Sequence, residues 1–273
     1  MMKLILTLEQ FPIFLAGAYG NKTRPTPGLD RWSLRSTTFD RAYSTCADGL
    51  ETLFQLWESC DFSAERFAGR KIFLSDLPVE APEFFDAGQT LSSEAFFSDL
   101  ASFPADSPKE TGLVWVHFRD WDADQLDSWL LNSAAARDLF ALLGTSGELP
   151  AGDVRLYSSE IQLPWWIRFP EPVYEGTHCP ALVTADDFQK ILDAGTPDAV
   201  FRDSVRILTD DDRWAVVTPD WFLTGFENVE EDEAEADAPE LYAKPDDWWD
   251  QNDVASRCFE EVQELMKLLT LQN

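Results

Sequence analysis

Histidine is almost missing from this chain: His117 and His178 are the only two in 273 residues. A two-histidine metal site would need both, and no HExxH or similar ligand pair exists. Cysteine is also sparse. Cys46, Cys60, Cys179 and Cys258 lie far apart without a CxxC, so a zinc ribbon is excluded. Cys46 and Cys60 fall near opposite ends of one expected helix, about 21 Å apart at 1.5 Å per residue, beyond disulfide reach. A reduced, cytosolic chain is the expectation. Glycine-rich phosphate loops are lacking, since neither GxxxxGK[ST] nor a strand-borne GxGxxG occurs. Gly144-Thr-Ser-Gly147 lacks the GxSxG spacing of a nucleophile elbow and reads as a turn. No Asp or Glu stands two residues before a lysine, which argues against a metal nuclease. No window approaches the 18 apolar residues of a membrane span, and Glu9, Gln10 and Pro12 interrupt the N-terminal apolar run, which is read as a strand rather than a secretory leader. No cofactor and no metal ligand set is expected.

Positive charge is scarce as well. Twenty-one Lys and Arg oppose 50 Asp and Glu, giving a net charge of -29. Phosphate polyanions and anionic membranes are therefore disfavoured partners, whereas a cationic partner would be steered in. The only basic island lies in 20–36, where Lys22, Arg24, Arg31 and Arg35 face Asp30 alone.

What is abundant is apolar mass: 45% hydrophobic residues, including 11 Trp and 20 Phe, enough to build a core against the entropy of ordering. Lys3 to Leu8 and Lys71 to Leu74 read as strands, and Leu113 to Phe118, apolar on both faces apart from His117, as a buried central strand. Leu50, Leu53, Phe54 and Trp57 share one helical face; Phe96, Phe97, Leu100 and Phe103 mark a second helix after Ser92 or Ser93. Asp122 opens a helix through Leu126, Trp129 and Leu130, and Ser133 another through Leu139, Phe140 and Leu143. Val154 to Tyr157, Ile161 to Leu163 and Trp165 to Phe169 read as edge strands, because Pro164 and Pro170 disfavour a sheet interior. Thr184 to Asp187 forms a capping box before Phe188, Ile191 and Leu192, closed by Gly195. Val205 to Thr209 and Arg213 to Thr218 flank Asp210-Asp211-Asp212 as a hairpin, with Trp221 to Phe226 as a third strand. A terminal helix presents Val254, Cys258, Val262, Leu265, Met266 and Leu269 on one face. The fold class is α+β, with a mixed or mainly antiparallel sheet, five or six helices and a hairpin-rich C-terminal half. The turn-rich stretch 144–152 divides a subdomain 1–147 from 148–273, unless the two form one continuous domain.

Chemistry is harder to read. Twelve acidic residues between Glu227 and Asp253 face only Lys244, and Tyr242, Trp248 and Trp249 are interleaved with them. Aromatic anchors ringed by carboxylates suit a basic protein partner. The leading expectation is an inhibitor of immunity or anti-restriction type that sequesters such a partner without catalysis, through Asp210, Asp211, Asp212, Glu230, Glu231, Asp232, Glu233, Glu235, Asp237, Trp248 and Trp249. The same stretch also reads as solvated surface pinned to its own core by the tryptophans. The alternatives are a carboxylate-dependent, glycosidase-like hydrolase, with Glu171 and Glu175 beside a Trp165–Trp166 platform, and an assembly subunit whose acidic surface serves solubility. His117 is expected to be a hydrogen-bonded core residue.

Overall fold

A computed structural model describes residues 3–63, 67–78, 80–98, 111–147, 155–226 and 238–270. The longest apolar runs form one eight-stranded sheet. In chain order its strands are β1 (Lys3–Leu8), β2 (Thr37–Tyr43), β3 (Arg70–Ser75), β4 (Ala87–Thr90), β5 (Thr111–Phe118), β6 (Leu139–Gly144), β7 (Gln162–Ile167) and β8 (His178–Val183). Across the sheet the order is β4-β3-β5-β1-β6-β7-β2-β8. Only β7 runs against its neighbours; the other pairings are parallel. The first strand of the chain thus sits in the middle, paired to β5 through Ile5↔Trp115 and to β6 through Ile5↔Ala141.

Both faces of that sheet are covered, which is why its inner strands are apolar on both sides. One face carries α2 (Gly49–Ser59) and α6 (Phe188–Ala194), whose Leu53, Trp57 and Phe188 pack on Ile5, Trp115 and Trp165. The other carries α1 (Pro27–Ser33), α3 (Ser93–Ser98) and α4 (Ala123–Asn132), with Trp32, Phe97 and Trp129 against Leu4, Val116 and Trp166. Each fully buried large side chain contributes roughly 1.5–3 kcal/mol. A short helix, α5 (Ser158–Ile161), precedes β7.

The second sheet is antiparallel: β9 (Val205–Leu208), β10 (Arg213–Val217), β11 (Trp221–Phe226) and β12 (Glu240–Ala243), in the order β12-β11-β10-β9. Alternation along β10 sends Ala215 and Val217 toward Tyr43 and Leu182 of the large sheet, and Trp214 and Val216 toward α7 (Phe259–Thr270). The terminal helix docks there through Leu265. The result is an α+β fold with seven α-helices among the described residues. None of these helices is long and apolar enough to cross a membrane.

Several expectations need correction; residues 155–157, expected within an edge strand, are not a strand. Leu139 to Gly144 is a strand rather than part of a helix opened by Ser133. Six consecutive apolar residues fit a buried strand and a buried helix equally, and pairing to β1 decides between them. Residues 162–167 form one interior strand running through Pro164, not edge pieces. Pro164 is tolerated because β2 bulges opposite it, between Phe39 and Ala42, and because Gly144 on the other side leaves room for its ring. Phe54 also departs from the expected helical face: it is exposed, while Leu56 is buried. Leu100 and Phe103 lie outside the described residues.

Candidate active site

In open α/β sheets, ligands gather outside the carboxyl ends of the strands where the strand order reverses. Here that point is the end of β1, flanked by the ends of β5 and β6, and the residue that follows β1 is Glu9. Its carboxylate is buried, yet both oxygens are engaged: Oε1 with His117 Nε2 at 3.1 Å, and Oε2 with Arg119 Nε at 2.9 Å. Its backbone carbonyl accepts from Trp121 Nε1 at 2.7 Å. Burial alone would push the Glu9 carboxyl up, but the hydrogen bonds and charges of His117 and Arg119 outweigh it and hold the group below the usual carboxylate range.

Hydrogen-bond accounting fixes one proton. Thr7 Oγ1 lies 3.0 Å from Val116 O, 3.1 Å from His117 Nδ1, and accepts from Trp115 Nε1 at 3.1 Å. The hydroxyl has a single hydrogen. If Thr7 donates to Val116, His117 donates from both ring nitrogens; if Thr7 donates to Nδ1, the imidazole is the Nε2–H tautomer. Either way Nε2–H points at ionised Glu9. As expected, His117 is a bonded core residue, but it ends in a carboxylate at a ligand-binding rim.

The amino end of α2 closes the cluster from above. A Cβ at Gly49 would lie 2.5 Å from Glu9 Cγ and 3.0 Å from Ser146 Oγ, so only glycine permits this approach. Asp48 caps the helix by accepting from Glu51 N at 2.8 Å. Ser146 Oγ accepts from Gln10 N at 2.9 Å, and Gln10 has φ 49, a left-handed conformation that costs energy next to the carboxylate. Arg119 is the cluster's solvent-facing member, its side chain 44% exposed. Burial pushes the Cys46 thiol up, which removes it as an activated nucleophile.

Divalent cations commonly assist phosphate-ester hydrolysis and need several anionic or neutral donors. This rim carries the carboxylates of Glu9, Asp48 and Asp76, but Glu9 is tied to a guanidinium, Asp48 caps α2 through Glu51 N, and Asp76 accepts from Arg119 N and Asp120 N, beside the neutral hydroxyls of Thr145 and Ser146. Among the described residues, no group of three or more His, Cys, Asp or Glu is placed to hold a metal. The donor set does not fit a resident cation.

Of the residues singled out from sequence, Trp248 and Trp249 line a cavity of about 310 Å³ with Phe14, Tyr157, Gln162 and Asp250, on the same rim of the sheet as Glu9. Trp248 packs on the core, and Trp249 meets Phe14 at a tilt, with centroids 5.3 Å apart. Asp210 and Asp211 line a different cavity, of about 410 Å³, with Asp48 and Glu51 at the start of α2. Asp212 stands beside them in the hairpin turn at φ 63, and Asp211 is held by Arg213 at 2.9 Å. Glu230, Glu231, Asp232, Glu233, Glu235 and Asp237 lie outside the described residues. The expected surface is therefore split between two cavities as far as it can be placed. Trp165 and Trp166 are fully buried on opposite faces of the sheet, so they are no sugar platform beside Glu171 and Glu175. Sequence reasoning missed Glu9 and Arg119. The available signal was a lone charged residue directly after each of two apolar runs.

No protein-family model matches the chain, and no curated protein matches it in sequence. Solved structures do resemble it. A protein solved with its substrate D-glucosamine-2-N,6-O-disulfate aligns with TM-score 0.69 and 12% identity, over 98% of this chain and 96% of its own. A 2-O GAG sulfatase aligns with TM-score 0.67 and 10% identity, over 98% and 91%. A member of the alkaline phosphatase superfamily from Vibrio parahaemolyticus aligns with TM-score 0.59 and 11% identity, over 95% and 87%. This corrects the expectation of an immunity- or anti-restriction-type inhibitor, because the architecture is one used by hydrolases, and a hydrolase reading fits it better. At 10–12% identity the likeness fixes the fold alone: along nearly its whole length, this chain folds as those sulfatases do.

Proposed function

We propose that the protein is a hydrolase of sulfatase type, acting on an anionic ester carried by a saccharide. The observation that supports this reading is the Glu9–His117–Arg119 cluster at the strand ends of a fold shared with sulfatases. Arg119 and the amino end of α2 supply fixed positive potential for the ester oxygens. Glu9, kept ionised by its partners, is the carboxylate available to take a proton from water, and His117 Nε2–H fixes its orientation. The Trp248–Trp249 cavity, where aromatic walls stand beside polar groups of Ser158, Ser159, Gln162 and Asp250, is the place for the sugar. A sulfated sugar is the substrate named for one structural neighbour.

Binding without turnover is the second reading. It is favoured by the engagement of both Glu9 oxygens and by Gly49, which brings no side chain to the rim. One experiment separates the two. Release of inorganic sulfate from sulfated mono- and oligosaccharides is measured for the wild type and Glu9→Gln, with calorimetric binding in parallel. Hydrolysis predicts turnover that falls by about 10²–10⁴ in the variant, the usual loss with a general base. Binding without sulfate release assigns the second reading, and neither binding nor release rejects both. A cytosolic location is part of the proposal, since all four cysteines are free thiols; a disulfide found in protein isolated under thiol-blocking conditions would refute it.

A further inference from the structure

At the opposite rim of the large sheet, where the parallel strands begin, cations collect in a protein of net charge -29. Arg31 lies in the last turn of α1 and Arg35 just beyond it; Arg137 lies between α4 and β6; Arg168 follows β7. Among the described residues none of the four makes an ion pair, although Arg24, Arg119, Arg155, Arg202 and Arg213 all do. Like charges at i,i+4, as in Arg31 and Arg35, repel one another. Arg35 also faces Arg168, and burial together with that neighbour lowers the Arg168 pKa, with Glu175 and Asp138 offsetting only part of the effect.

These side chains surround an indole with nothing to bond. Trp32 Nε1 is buried and has no hydrogen-bond partner, and Trp32 lines a cavity of about 100 Å³ with Arg31, Arg35 and Arg137. Arg168 stacks on its ring, 4.6 Å from the centroid, and donates to Arg137 O at 2.7 Å, which ties the two arginines together. Trp57 and Trp166 also have unpartnered indole N–H groups, but those belong to the aromatic cores. A buried donor without an acceptor costs about 1–3 kcal/mol. The cavity, about 100 Å³, has room for a tetrahedral oxyanion beside these donors.

We propose that Arg31, Arg35 and Arg137, with the indole N–H of Trp32 and with Arg168 behind it, form a binding pocket for a tetrahedral oxyanion, a sulfate or phosphate group. Each guanidinium brings several donors in a fixed fork, and the indole adds one more, matching an acceptor-only ligand with a full shell of lone pairs. The pocket is a sheet's length from Glu9, about 20 Å for six residues at 3.3 Å each. It is a second anion site, and it does not depend on turnover at the first.

The test uses the full chain in a chloride buffer at constant ionic strength, titrated with inorganic sulfate, inorganic phosphate or acetate. Binding is followed by calorimetry and by the indole N–H resonances of a nitrogen-15 spectrum. Sulfate or phosphate is expected to shift one indole signal, the one missing from Trp32→Phe. The exposed double substitution Arg35→Gln/Arg137→Gln is expected to weaken affinity at least about tenfold, as loss of a hydrogen bond to a charged group does. Tighter binding of sulfate than phosphate assigns a sulfate ester as the natural source, and the reverse order assigns a phosphate. The proposal is overturned if neither ion moves the Trp32 signal, if acetate moves it as much, or if the double variant binds as tightly as wild type. Should Trp32→Phe fail to fold, the double variant alone decides.

Discussion

Gly49→Ala tests whether the start of α2 is pressed against the buried carboxylate. In an isolated helix, alanine would be favoured over glycine by about 0.8–1.0 kcal/mol. Here the added methyl would stand 2.5 Å from Glu9 Cγ, 2.9 Å from Cδ and 3.0 Å from Ser146 Oγ. Glu9 cannot swing aside without losing His117 and Arg119, so the helix has to lift or the ion pair has to break. Overpacking of this kind costs about 1–3 kcal/mol. The net expectation, after the helix preference is subtracted, is about 0–2 kcal/mol of destabilisation. Urea unfolding followed by tryptophan fluorescence and far-ultraviolet dichroism reads it as a lower midpoint with an unchanged slope. Glu9→Asp in the same chain withdraws one methylene from the clash, so the double variant is expected to lose less than the sum of the two single losses. A midpoint raised by the full helix preference for Gly49→Ala would show that α2 does not rest on Glu9, and the account of the cluster would fail with it.

Three further outcomes are expected. Because the folded-state pKa of Glu9 is depressed, its contribution to stability is complete above the unfolded value near 4.5 and is lost as pH falls through the folded one. The stability difference between wild type and Glu9→Gln should therefore shrink on acidification below about pH 4.5, as that linkage requires, and a difference that stays constant from neutral pH into that range would refute it. Asp187→Ala strands Arg202, whose Nη2 donates to the carboxylate at 2.9 Å, and removes the acceptor for Thr184 N at 3.1 Å. A loss of about 3–5 kcal/mol in chemical unfolding is expected, and a loss below 1 kcal/mol would contradict the pairing. Leu265→Ala, at the centre of the α7 contact with Trp214 and Leu223, should cost about 2–5 kcal/mol and speed proteolysis of the terminal helix; an unchanged cleavage rate would mean that the helix is not docked.

Much of the architecture was legible from local chemistry. Asp122 caps α4 by accepting from Gln125 N, the Thr184–Asp187 box opens α6, and Gly195 ends it at φ 65, because each of these signals acts within a few residues. The hairpin around Asp210–Asp212 and the docked face of α7 follow from periodicity in the same way. What escaped depends on distant partners. The run Leu139–Gly144 takes its identity from β1, 135 residues earlier in the register Leu4↔Leu139. Pro164 is admissible inside the sheet only because of a bulge in β2, which no reading of residues 160–170 could reveal. The site was hidden for the same reason. Glu9, Asp48, His117, Arg119 and Ser146 are spread over 138 positions, and only the parallel stacking of β1, β5 and β6 makes them neighbours. The acidic residues that stood out in composition owe their prominence to number, and number carries no geometry.

The placement of β1 sets a timetable for synthesis. It leaves the ribosome well before its neighbours, and Ile5 has no sheet partner until Trp115 and Ala141 have been made. At about 5–20 residues per second, the wait for the first of these partners is roughly 5–20 s, long beside the microseconds of helix and hairpin formation. Through that interval the segment LILTL is an unpaired apolar strand with both edges open, the kind of sequence that pairs with another chain if its own is late. Nascent chains stalled before residue 111 should therefore be held by chaperones or aggregate, and release should come in one step once β5 and β6 are available to close around the strand.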